Sequence, residues 1–100
     1  MIDVVQVEDE QSNLPVVRLS GIPSAAWQKA FESVIRWTKQ KGDKPQGLGD
    51  PPIPENVKQG KFEIDGDRLR MTLIPGKQWA DVRVFIEDIA FAYANKVDRA

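Results

Sequence analysis

Any chemistry this chain performs must come from carboxylates, lysines, arginines and three tryptophans, because it holds neither histidine nor cysteine. Disulfides, thiol nucleophiles, structural zinc sites and every imidazole general base are thereby excluded. Ser12, Ser20, Ser24 and Ser33 have no imidazole to activate them. Asp65-Gly66-Asp67 sets two carboxylates two positions apart, a spacing a cation could use, but Asp and Gly are also what a tight turn requires. Glu87 and Asp88 are neighbours, and neighbours on a helix point about 100° apart, so they do not converge as an acid/base pair. Neither Gly42-Asp43-Lys44 nor Gly47-Leu48-Gly49 has the glycine spacing of a phosphate loop. We therefore expect no catalytic, cofactor-binding or metal-ligating residues, no cofactor, and a protein that is not an enzyme.

Two clusters could instead bind. Val84, Glu87, Asp88 and Phe91 fall together if the C-terminal segment is a regular helix, giving an apolar centre with an acidic rim. A large aromatic on such an outer face can anchor a protein interface. The competing reading keeps Phe91 inside, covered by a loop or by the amino-terminal strand. The second cluster is Trp37 with Lys29, Arg36, Lys39 and Lys41, where an aromatic beside cations could stack bases of a single strand or hold an anionic ligand. Against it, a tryptophan at the edge of a core helix is ordinary packing, and no strand carries the aromatic pairs of an RNA-stacking sheet. Pro51-Pro52-Ile53-Pro54 could offer a polyproline docking segment or simply stiffen a loop.

The formal net charge of -1 argues against duplex nucleic acid as a main partner, which demands a large basic excess. With 100 residues, 41% of them hydrophobic, the chain can build one domain and one core with little stability in reserve. The amino terminus lacks a basic segment followed by a long apolar run, and no stretch has the length of a membrane span. A cytoplasmic protein with no membrane partner is the expectation.

The elements that must position these residues start from the clearest local signal, Lys61 to Pro75. With Gly66-Asp67 as a two-residue turn, Ile64 opposes Leu69 and Phe62 opposes Met71 on an apolar face. Asp65 then opposes Arg68, and Glu63 opposes Arg70, on the other. Moving the turn to Asp65-Gly66 spoils both faces.

Upstream, Ile2 to Glu8 reads as a strand, Asp9 to Asn13 as a polar loop, and Val16 to Ser20 as a second strand. The first strand either pairs with the second or pairs elsewhere. Ser24 is a helix N-cap, and the helix runs to about Lys41 with Trp27, Phe31, Val34, Ile35 and Thr38 on its buried face. Residues 42–60 hold four prolines and four glycines, which forbid a long helix or a central strand. This is a long loop, pinned at intervals by Leu48, Ile53 and Val57, with one helical turn expected at Glu55 to Lys58. A second helix spans about Gln78 to Asp98. Its buried stripe is Val82, Phe85, Ile86, Ile89, Ala92 or Tyr93, and Val97, leaving Val84 and Phe91 off it.

The order ββα, long loop, ββα predicts an α+β fold: one antiparallel sheet of about four strands with two helices on one face. The function expected is a small non-enzymatic protein-binding module, an adaptor, inhibitor or assembly subunit. It would use the outer face of the C-terminal helix on another protein or a second copy of itself. The alternative is single-stranded nucleic-acid or anionic-ligand binding at Trp37.

Overall fold

The computed structural model describes residues 1–99 and contains one antiparallel sheet. Its strands are β1 (Val4–Glu8), β2 (Val16–Leu19), β3 (Lys61–Asp65) and β4 (Arg68–Thr72), in the order β1-β2-β4-β3. Alternation decides its two faces. Val17, Leu19, Leu69 and Met71 are buried on one side, with Val4, Val7, Phe62 and Ile64 partly buried beside them. Gln6, Glu8, Arg18, Glu63, Asp65 and Arg70 lie exposed on the other. Helix α1 (Ala25–Thr38) and the C-terminal helix share the core with the apolar face, so both pack on the same side.

The β3–β4 hairpin has the expected register, with Phe62 opposite Met71, Ile64 opposite Leu69, Glu63 opposite Arg70 and Asp65 opposite Arg68. Of the two turn residues only Gly66 has positive φ, +61°, which suits a glycine-first hairpin turn. The ion pairs run differently from the register: Arg70 reaches diagonally to Asp65 at 3.5 Å, and Arg68 takes its chain neighbour Asp67 at 3.1 Å. Long flexible arginines choose the nearest accessible oxygen, and register does not bind them to the opposite residue. At the other end of the sheet, β1 pairs antiparallel with β2, with a bulge between Val4 and Gln6.

Ser24 caps α1 by accepting the Trp27 N–H at 3.1 Å. The helix ends at Thr38, earlier than its composition suggested, because Gln40 turns left-handed at φ +59°. Gln40 N–H then donates to the Trp37 carbonyl and Lys41 N–H to that of Arg36, the paired bonds of a Schellman ending. A glutamine in that conformation is strained where a glycine is not. Gln40→Gly should therefore raise stability by about 0.5–1 kcal/mol in a urea titration. Unchanged or reduced stability would mean that Gln40 is not strained there.

The long loop is anchored as its three apolar residues suggested. Val57 is fully buried in α2 (Glu55–Gln59), the expected single turn, and Leu48 and Ile53 pack against the core. The Tyr93 hydroxyl also donates to the Gln46 carbonyl at 3.0 Å.

The C-terminal helix departs from expectation at its centre. It consists of α3 (Trp79–Val84), a π-helical segment (Phe85–Phe91) and α4 (Ala92–Asp98). A π turn closes i→i+5 bonds and so holds one extra residue, which retards everything after it by roughly one position, about 100°. The buried stripe accordingly runs Val82, Phe85, Ile86, then Ala90, Phe91, Ala94 and Asn95. Ile89, Tyr93 and Val97, expected at its centre, lie at its half-buried margin.

Candidate functional site

Phe91 cannot centre an outer binding face. It is 3% exposed and packs edge-on against Trp27 and Phe31 of α1, with ring centroids 5.1 Å and 5.8 Å away. Those two rings stack on each other at 5.5 Å, so Phe91 completes an aromatic triad between the helices. The π turn is the physical reason, since a regular helix would have carried Phe91 past the stripe. Its cover is α1, neither the loop nor β1 alone.

The rest of that cluster disperses. Val84 stays 60% exposed, beside a hollow of about 250 Å³ that Pro52 and Pro54 also line. The prolines considered for external docking thus stand against their own helix. Glu87 is half-buried and pairs with Arg83 at 3.0 Å, and Asp88 lies exposed on the side facing Leu48 and Tyr93. Without Phe91 these three residues have no apolar centre.

The Trp37 cluster is also divided. Lys29, Arg36 and Lys41 are exposed and Trp37 is half-buried. Lys39, however, turns away from solvent to hold the end of α2. Its ammonium donates to the carbonyls of Val57 (3.1 Å), Lys58 (2.8 Å) and Gly60, and lies 5.9 Å from the centre of the Phe62 ring. A cation at a helix C-terminus meets the negative end of its dipole. Burial, with Lys41 nearby, lowers the Lys39 pKa below the ordinary lysine value. Lys39 therefore belongs to no phosphate-binding strip, because its donors are already engaged.

A different surface assembles from residues singled out only for their place in the hairpin and in α1. Strand β3 is the last of the sheet, and a groove of about 460 Å³ runs between it and α1. Phe31, Ile35, Phe62 and Ile64 form its apolar lining, and Glu32, Arg36 and Glu63 stand on its rim. The free edge of β3 borders the same groove. Met71 N–H donates to the Pro15 carbonyl on the β2 side, so Met71 and its partner Phe62 are a non-hydrogen-bonded pair. Alternation makes Ile64–Leu69 another such pair. The N–H and C=O groups of Phe62 and Ile64 therefore face outward along the free edge. Among the described residues, no loop or helix supplies a backbone partner to either.

The signal for this groove was present in the sequence as two apolar stripes, Phe31/Ile35 and Phe62/Ile64. What was missing was the strand order, which leaves β3 without a neighbour on its outer side. Among the described residues no group of three carboxylates is placed to hold a metal ion, and no helix is long and apolar enough to cross a membrane. No family model, curated protein or solved structure was found to match this chain.

Proposed function

We propose that the chain is a small non-enzymatic protein-binding module that engages its partner along the β3 edge and the groove beside it. One observation carries this reading: unpaired strand hydrogen-bonding groups at Phe62 and Ile64 border an apolar groove of about 460 Å³. An added strand would take main-chain hydrogen bonds from the edge and lodge alternate side chains against Phe31 and Ile35, as in recognition by strand addition. The other edge suits this less, because the bulge at β1 twists it and interrupts its pairing.

A photo-crosslinking amino acid at Glu32, on the groove rim, tests the reading in the cells that make the protein. Protein adducts at Glu32 and none from the same probe at Val84 are expected. Adducts confined to Val84 would return the interface to the C-terminal helix. Silence at both positions would sink the protein-binding reading.

A further inference from the structure

We propose that the partner at this edge is a second copy of the chain, its β3 running antiparallel to the first about a two-fold axis at Glu63. The inference rests on the protein-binding reading and names its partner. Two four-stranded sheets would then join into one of eight strands.

The residues of β3 are self-complementary in this register. Lys61 of each copy opposes Asp65 of the other, and Phe62 opposes Ile64. Only Phe62 and Ile64 carry outward-facing backbone groups, and this register opposes them to one another, so that each pair exchanges both N–H···O bonds. Phe62 and Ile64 also prolong the apolar face across the seam, while the opposed lysines and aspartates lie on the solvent face as opposite-charge cross-strand pairs.

Other registers do worse. A one-residue slip sets polar side chains on the apolar face. Opposing Lys61 to Glu63 brings Ile64 to Gly60, whose carbonyl Lys39 already holds. Opposing Ile64 to itself sets Glu63 against Asp65, both negative.

The groove rim follows the same logic. Helix α1 offers one acid and one base there, Glu32 and Arg36, and a two-fold interface requires each patch to complement itself. Pairing β3 with β3 also consumes the free edge and closes the assembly. The β1 edge left at each end carries a bulge, whereas pairing β3 with β1 would leave one free β3 and one free β1, able to pair again and propagate. The register carries one built-in cost: Glu63 meets its own copy at the axis, with Arg70 beside it on the same face. With only five residues on the edge, the complex should exchange with monomer.

Sedimentation equilibrium across a dilution series of the full chain tests this, with circular dichroism on each variant to confirm the fold. The wild type should show a monomer–dimer equilibrium. Lys61→Glu, which turns two attractive pairs into repulsive ones, should weaken it about tenfold. Asp65→Lys should do likewise, and the double exchange Lys61→Glu/Asp65→Lys should restore it. Glu63→Gln should tighten association about threefold by relieving the axis. A wild type monomeric at every concentration overturns the inference, as does a dimer indifferent to Lys61→Glu or not restored by the double exchange. A monomer whose Glu32 probe still captures a different protein overturns the second-copy partner alone and leaves the protein-binding reading standing.

Discussion

Replacing Phe91 by alanine should cost about 3–5 kcal/mol in urea-induced unfolding, a large share of the roughly 5–15 kcal/mol that holds a domain of this kind together. The ring is buried between Trp27 and Phe31, so its removal forfeits apolar burial, leaves a cavity and abolishes two edge-to-face contacts. Phe91→Asp should go further and prevent folding, because it would bury a carboxylate against two aromatic rings. An outward Phe91 would tolerate both changes; a folded Phe91→Asp protein of near-wild-type stability would refute the packing described here. The π turn supplies a stricter control. Deleting the exposed Asp88 removes the one extra residue, and the shortened helix can run as regular α from Val82 onward. Ala90, Phe91, Ala94 and Asn95 would then keep their inward facing. This deletion should fold, with stability far closer to wild type than that of Phe91→Ala.

Asn95 should be the next most costly side chain to lose. It is the polar residue that the π turn delivers into the core, and three of its four side-chain hydrogen-bonding sites are used across long sequence distances. Its Oδ1 accepts from Trp27 Nε1 and from the Ile2 N–H, both at 2.8 Å, and its Nδ2 donates to the Ile2 carbonyl at 3.0 Å. One amide thus ties the amino terminus, α1 and α4 together. Asn95→Leu keeps the branched shape but leaves the Trp27 indole N–H buried without an acceptor, an expected loss of about 2–4 kcal/mol. Removing both partners is cheaper than removing one. Adding Trp27→Phe to Asn95→Leu should therefore cost less than Trp27→Phe does alone, with a coupling of about 1–2 kcal/mol in a double-mutant cycle. Strict additivity would show that the hydrogen bond contributes nothing. In the single variant, faster amide exchange in β1 should accompany the loss, since Ile2 is released.

The binding surface follows from the same core. Phe31 faces the triad and also lines the β3 groove, so the packing that draws Phe91 inward helps set the groove wall. Variants at Phe91 would disturb any partner indirectly. The exposed charges Lys61, Glu63 and Asp65 are the cleaner probes of recognition.

What the sequence determined by itself was everything governed by short-range pattern. The period-two alternation and a single glycine specified the β3–β4 register, since any other turn placement mixes apolar and charged residues on both faces. Ser24 before an apolar stripe marked the start of α1, and Pro54 before Glu55 marked the isolated turn of α2. These elements then dictated an α+β sheet with helices on one face, because each has only one apolar side to cover.

Tertiary structure decided the rest, where local alternatives differ too little in energy for neighbouring residues to choose. An α turn and a π turn through residues 85–91 use the same residues and differ by a single shift in hydrogen-bond partner. The π form prevails because it turns Phe91 toward Trp27 and Phe31 and Asn95 toward the Trp27 indole, contacts made only once α1 is in place. The same holds for Lys39, whose carbonyl partners come from α2, and for the open edge of β3, which exists because β4 pairs with β2 on its other side. Each depends on groups brought together from distant parts of the chain, so no short window of sequence contains it.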